Sequence, residues 1–312
     1  MAVITQQFLA AVFTNFVATF QSVFLQSEVG VPDFCEEVTS TTEMESYNWL
    51  GSGPRMRQWT DERQPNGATS NNFAIRNLDW EASVEIDRNT FEDDKLHLVK
   101  PLIAGLAHEA ARHPRQLAFS LLVGGFTAKA WDGINYFADH SNGGKVWLNN
   151  NLAAVALNDA NYGTAIQTLR AALDDKGRPL DPDLSSKKTL LVVGPKNEET
   201  ARTLLNSEFI ASPGPMAGGT VAGTLAANVW RNSASLLVSA YITDHSWFVV
   251  HTGNPGARPF IFQWRKKPQM TQLTNPNTSE AVWRRKKFFY GADSRYNVGY
   301  GNFAFAVGST LA

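Results

Sequence analysis

The sequence predicts an α+β fold, and three features carry that reading. A Phe-rich helical stripe opens the chain, a long alternating hairpin leads into a helical stretch, and an α/β alternation is followed by closing strands. At 312 residues the chain is long enough for one large domain or two modest ones around a substantial apolar core.

In the first segment Phe8, Val12, Phe16, Phe20 and Phe24 recur every four residues, and Phe13, Val17 and Val23 widen the stripe. Gly30 and Pro32 end it. So apolar a helix must cover a surface, on its own domain or on a neighbouring chain, and the periodicity does not choose between them. From Cys35 to Arg88 the chain reads as extended structure with turns. Gly51 to Pro54 breaks it, and Asn66-Gly67 is a tight-turn pair. Phe73, Ile75, Trp80, Ala82, Val84 and Ile86 then alternate as in a strand. A polar hairpin of this length cannot bury much of itself and is expected to project.

Thr90 reads as an N-cap with Glu92 and Asp93 in the first turn of the next helix. Its pattern runs through Leu102, Leu106, Ala110, Leu117 and Leu121 to Gly124-Gly125. Pro101 and Pro114 each remove a backbone donor, which predicts two or three helical pieces or a kinked spine. Asp139 to Asn151 is a polar loop. Helices over Ala160 to Leu173 and Glu198 to Ser207 alternate with a buried strand at Thr189 to Val193. After the Gly/Pro/Ala loop from Ser212 to Gly223, strands are predicted at Leu236 to Ala240, Trp247 to Val250 and Pro259 to Phe262. Pro268 to Pro276 reads as a polar connection. Ala281 to Tyr290 and Tyr300 to Val307 read as two closing strands around a turn at Gly291 to Gly299.

Composition narrows the function. Lys and Arg total 28 against 29 for Asp and Glu. A protein built mainly to grip duplex nucleic acid would carry a strong basic excess, because phosphate neutralisation supplies most of that affinity. Only a weak, local contact fits this balance. Cys35 is the only cysteine, so neither an internal disulfide nor a thiolate metal cage is available, which fits a reducing cytoplasm. The apolar N-terminus lacks a positive n-region and is interrupted by Gln, Thr and Asn. It therefore favours neither a signal peptide nor a membrane span.

Several catalytic strings fail on geometry. His108 and His113 are spaced i, i+5, whereas a zinc-protease helix needs i, i+4 to place both rings on one face. Gly299-Tyr-Gly301-Asn-Phe-Ala304 matches a dinucleotide fingerprint as a string, but it continues as a strand and no ribose-binding acid follows. Asp139-His140 is the best acid–base pair by sequence, without a nucleophile beside it. No catalytic residue, cofactor site or metal site is expected. The basic run Arg284-Arg285-Lys286-Lys287 falls in a predicted strand, where both faces would carry charge. That suits subunit pairing, an inner surface near DNA, or an edge strand protected by charge.

Strings spread along the chain resemble the Mu-like major head subunit family. They begin with Phe13, Phe16, Phe20 and Gln21, then Ser46-Tyr-Asn-Trp-Leu-Gly51 followed by Pro54-Arg55-Met-Arg57-Gln-Trp59. Phe73-Ala-Ile-Arg-Asn77, Glu85-Ile-Asp-Arg88, His113-Pro114 and Leu121 to Phe126 come next. Trp131-Asp132-Gly133, Tyr136 to His140, Tyr290 to Arg295 and Gly299-Tyr-Gly301 complete the set. Each string is weak alone, and the order and spacing carry the specificity. The stretch from about 175 to 280 matches most loosely, and no residue role is carried onto it.

The resemblance implies a Hong Kong 97-type capsid fold. Residues 1–30 would form the N-terminal arm and 31–91 the E-loop region. Residues 92–150 with 271–312 would form the peripheral domain, and 151–270 the α/β axial domain. It implies a structural protein rather than an enzyme, self-assembling as hexamers and pentamers of an icosahedral virion shell around double-stranded DNA. Assembly would be noncovalent, in the host cytoplasm and without a membrane. Portal, scaffolding and decoration proteins are further candidate partners, and DNA would be touched weakly and nonspecifically. Phe16, Phe20, Trp49, Arg55, Arg57 and Trp59 are the expected interface residues, with Arg284, Arg285, Lys286 and Lys287 facing inward. The competing readings are an encapsulin-like compartment around protein cargo, a hydrolase or metal enzyme using the α/β portion, and a tail or baseplate component.

Overall fold

The computed structural model describes residues 5–27, 30–47, 73–93, 95–141, 148–174, 177–212, 224–253, 258–275 and 279–311. The Phe-rich stripe forms helix α1 (Gln6–Gln26), capped by Thr5, whose hydroxyl accepts the Phe8 N–H at 3.1 Å. By length and composition α1 passes for a membrane span, yet it lays its stripe on protein. Leu9, Val12, Phe16 and Phe20 bury against Val99, Ile103 and Leu106 of the spine helix and against Phe288 and Tyr290 of a long sheet. Phe16 meets the Tyr290 ring edge-on at 5.2 Å.

The long sheet contains β1 (Cys35–Thr39), β4 (Leu78–Asp87), β10 (Phe260–Leu273) and β11 (Lys287–Tyr300), in the order β1-β10-β11-β4. β1 runs parallel to β10, and the other two pairings are antiparallel. The expected alternation holds in β4, where Trp80, Ala82, Val84 and Ile86 pack inward. β2 (Met44–Ser46) pairs with β3 (Ala74–Arg76), so Ser46 and Ala74 lie side by side. A second sheet has the order β12-β9-β5-β8, from β5 (Thr189–Val193), β8 (Ser235–Val238), β9 (Trp247–His251) and β12 (Ala306–Ser309). Helices α4 (Asp159–Arg170) and α5 (Glu198–Asn206) cover one face of it through Tyr162, Ile166, Leu169 and Leu204. Val192, Phe248 and Val250 on its other face join the core beneath the long sheet. The expected division at residue 270 falls inside β10, and β12 completes the second sheet although it lies in the stretch expected to be peripheral.

Several expectations are corrected. Of the two outcomes expected at the prolines, separate helical pieces are not found: the spine is one helix, α3 (Leu96–Gly124), with Pro101 and Pro114 inside it. Each proline forfeits its own N–H bond, and the buried Pro114 packs the helix down rather than ending it. The acidic cap is Asp87, which accepts the Asn89 N–H at 2.9 Å and starts the short helix α2 (Arg88–Glu92), so Thr90 lies within a helix. β10 runs through Pro268, which sits in a register irregularity between Lys266 and Gln269 where no ladder donor is required. The expected turn at Gly291 to Gly299 is strand interior instead. A Cβ on Gly299 would stand 2.4 Å from Ile75 Cδ1, so glycine there admits the hairpin root. The Asn66-Gly67 turn lies outside the described residues.

Tyr290 is fully buried, and its hydroxyl has no hydrogen-bond partner. Burial also raises its pKa, so the group stays protonated and unsatisfied. Tyr290→Phe should therefore raise stability by about 1 kcal/mol, as the cost of an orphaned hydroxyl indicates. Phe16→Ala on the facing helix should cost about 3–5 kcal/mol. Urea denaturation of both variants checks the opposite signs.

His251 pairs with Thr189 across β9 and β5, and neither its ring nitrogens nor the Thr189 hydroxyl has a partner. Burial lowers the His251 pKa, and the Lys188 cation acts in the same direction. Above about pH 6.5 the ring is neutral in both folded and unfolded chains. Below that, the unfolded chain takes up a proton that the folded ring resists, so stability falls as pH drops. Melting curves between pH 7 and 5 should fall less steeply for His251→Leu than for the parent protein.

Candidate subunit interface

Among the described residues the histidines singled out by the sequence serve separate partners. His108 Nδ1 lies 3.3 Å from Ser27 Oγ, while His113 Nδ1 lies 2.7 Å from the Tyr296 hydroxyl and its ring packs on Trp80 at 4.4 Å. The two rings thus serve different neighbours, as their spacing predicts. Burial lowers the His113 pKa. His140 is paired with Asp132 at 2.6 Å, not with its sequence neighbour Asp139, which instead accepts the Ser141 N–H at 3.0 Å. The His140 ring is sealed from solvent and stacks on Phe303 at 3.6 Å. Beside it Asn150 donates to the carbonyls of Tyr136, Phe303 and Ala306. These contacts tie the 126–150 region to the C-terminal segment, which is a structural task. Among the described residues no group of three or more His, Cys, Asp or Glu is arranged to hold a metal. The Gly299 string ends β11 and enters a short 3-10 turn at Phe303–Phe305, without a phosphate-binding helix.

The root of the extended segment is a chain of buried polar contacts. Tyr47 OH donates to Gln263 Oε1 at 2.7 Å, Gln263 Nε2 donates to Asn77 Oδ1 at 2.7 Å, and Asn77 Nδ2 donates to Ser40 Oγ at 2.8 Å. Glu45 closes the turn by accepting the N–H groups of Thr41 and Thr42. Those bonds, with help from the Ser40 hydroxyl, hold its pKa down at about 2. The paired strands β2 and β3 are therefore anchored to the long sheet. Sequence reading missed this network. Its one signal is Gln263, a lone amide within the apolar run Phe260 to Trp264.

The interface candidates separate into three groups. Phe16 and Phe20 are only 2% exposed and buried against their own chain, which is the own-domain alternative that the helical stripe left open. Trp49, Arg55, Arg57 and Trp59 lie outside the described residues. The basic run is not in a strand: Arg284 and Arg285 end helix α6 (Glu280–Arg285), Lys286 is its left-handed cap at φ 51°, and Lys287 begins β11. The alternating two-faced charge expected there is therefore replaced by a helical tip. Arg284 pairs with Glu280 at 2.6 Å and Lys287 with Glu85, while Arg285 and Lys286 have no ion pair among the described residues.

The largest exposed apolar side chains lie at separate places. Leu98 and Leu102 stand on α3. Phe209 and Leu225 stand on the hairpin of β6 (Phe209–Ser212) and β7 (Thr224–Ala227), with Val229 just beyond. Trp283, 71% exposed, stands on α6. A two-stranded hairpin with such a face is marginal alone. Phe209 and Leu225 share one face of that hairpin, whereas the other exposed apolar side chains are scattered, as they are on most protein surfaces.

The family model described as Mu-like prophage major head subunit gpT matches residues 9–154, 141–242 and 240–312. The chain is 26% identical to the Mu-like prophage FluMu major head subunit of Haemophilus influenzae, over 96% of this chain and 72% of that protein. It is 23% identical to the major capsid protein of Escherichia phage Mu, over 98% of this chain and 74% of that protein. Among solved structures, a chain of the bacteriophage JBD30 procapsid superposes with TM-score 0.58 at 24% identity, covering 99% of this chain and 77% of that one. A chain of the bacteriophage PhiM1 mature capsid gives 0.53 at 13%, covering 92% and 88%. A virus-like particle from Pyrococcus furiosus gives 0.51 at 7%, covering 95% and 98%. The fold is that of Hong Kong 97-type phage capsid proteins, and the chain belongs to the Mu-like prophage major head subunit gpT family, the major capsid proteins of Mu-like phages.

Proposed function

We propose that this major head subunit works by repeated self-association into a closed icosahedral shell of hexamers and pentamers around double-stranded DNA, without catalysis. The observation that carries the reading is the family match along the chain. The exposed face shared by Phe209 and Leu225 supports it, because it gives a neighbour a place to bind. Assembly in the host cytoplasm, with portal, scaffolding and decoration proteins as partners, belongs to the same proposal.

In this reading α1 is the arm, and β2, β3 and the segment between them form the E-loop. α3 with the long sheet is the peripheral domain, and the second sheet with α4, α5 and the β6–β7 hairpin is the axial domain. Trp49, Arg55, Arg57 and Trp59 remain the proposed contacts of the extended segment. Phe16 and Phe20 reach a neighbour only by exchange of the whole arm. Arg285, which has no ion pair among the described residues, is the basic residue proposed to touch DNA, weakly and without sequence preference.

An encapsulin-like compartment is the second reading, since the likeness to the Pyrococcus furiosus particle is one of fold alone. Negative-stain microscopy of particles purified from cells making the whole head should show closed shells, and nuclease-protected DNA should copurify. Closed shells that hold protein cargo and exclude nucleic acid favour the second reading; rings or tubes overturn both. Phe209→Ser with Leu225→Ser should lower shell yield about tenfold or more, as loss of interface anchors predicts. The subunit's melting temperature should barely move, because both side chains are exposed.

A further inference from the structure

Trp283 is 71% exposed although its neighbour Val282 is buried. Beside it is a cavity of about 300 Å³ between the first turn of α1, the end of β10, α6 and the start of β11. Leu9, Val282 and Phe288 give it an apolar wall, and Arg88 and Lys286 also line it. Trp283 borders this cavity without filling it. The volume lies at the low end of the roughly 300–1,000 Å³ seen for ligand pockets, so it suits a side chain rather than a folded element.

We infer that the cavity receives Trp283 of a second copy of this chain, a knob-in-hole contact repeated through the shell. The inference rests on the shell reading above and names one of its contacts. Knob and hole lie side by side on one surface, so a two-fold contact between two copies places the Trp283 of each in the cavity of the other. The guest fits the lining: an indole buries its face on the apolar wall, and Lys286, which has no ion pair among the described residues, is a cation available to the ring. Charge also permits a second copy to approach. α6 carries Glu280 beside Arg284 and Arg285, so two facing copies present both signs to each other. A free anion or an acidic partner would use the cations but leave Trp283 and the apolar wall uncovered.

The test uses mixed particles, because Trp283 and the cavity of one chain are themselves neighbours. One population carries Glu280→Cys, one helical turn from Trp283 and leaving the knob in place, and the other carries Gln6→Cys, at the cavity lining, together with a mass tag. Cys35 is buried in both. After co-assembly, a short bismaleimide should give a heterodimer of tagged and untagged chains, in particles and not in free subunits. In separate preparations Trp283→Ala should lower particle yield about tenfold or more and Trp283→Phe should largely restore it. Neither should shift subunit melting, which separates assembly from folding. Particles that form without the heterodimer overturn this contact and leave the shell reading standing, as does Trp283→Ala assembling at parental yield. If the unmodified chain forms no particles in the complete system, the shell reading fails and the contact with it.

Discussion

The pairing of β10 with β11 is the constraint on which the rest of the molecule depends. These 14-residue strands are long enough to run through two cores. At one end Phe260, Phe262, Tyr296 and Tyr300 pack beneath the C-terminal half of α3. At the other, Met270, Phe288 and Tyr290 receive α1 and the start of α3. β1 attaches along one edge and β4 along the other, so this pair positions the strands that follow α1 and precede α3. Beyond the hairpin the chain turns through Phe303–Phe305 and supplies β12 to the second sheet. A slip of one residue would turn every inward aromatic outward, so the two cores together fix the register.

Local pattern made much of this legible. The i, i+4 Phe stripe, the alternation in β4 and the apolar runs of β5 and β9 are short-range signals, and each became the expected element. The misreadings came where long-range contacts override local chemistry. Pro114 reads as a break, but its buried position inside a packed spine holds the helix together. Gly291 and Gly299 read as turn residues, yet they are small because Ser83 and Ile75 cross over them. Arg284 to Lys287 read as strand because the following Phe-Phe-Tyr is strand, while Ser279 caps a helix just before.

The surface was less legible than the core. Phe16 and Phe20 were expected at an interface because Phe-rich helices need cover, and composition cannot say which chain provides it. Their own chain does, through α3 and Tyr290. His140 drew attention beside Asp139, but its partner is Asp132, eight residues back, and that pairing depends on how the loop closes. Trp283 gave no sequence signal at all, since a tryptophan beside a valine in a short amphipathic stretch reads as core. Only the placement of α6 at the end of the hairpin exposes it.

Unfavourable choices inside the molecule bear on this surface. The unpartnered Tyr290 hydroxyl and the His251–Thr189 pair each leave polar atoms desolvated, which ordinarily costs about 1–3 kcal/mol per group. Tyr290 lies directly beneath α1, so part of that cost is relieved whenever the arm lifts and water reaches the hydroxyl. Among the described residues α1 is held by apolar contacts and the Ser27–His108 bond, over a group that prefers water, and a helix held so is easier to exchange than one sealed by ion pairs. The near-neutral charge points the same way. A subunit with 28 cationic and 29 anionic side chains accumulates little repulsion when copied many times, so modest contacts suffice at each boundary. Exchangeable elements and individually modest contacts allow a misplaced copy to leave before neighbours lock it in, and a closed shell needs that reversibility to form without defects.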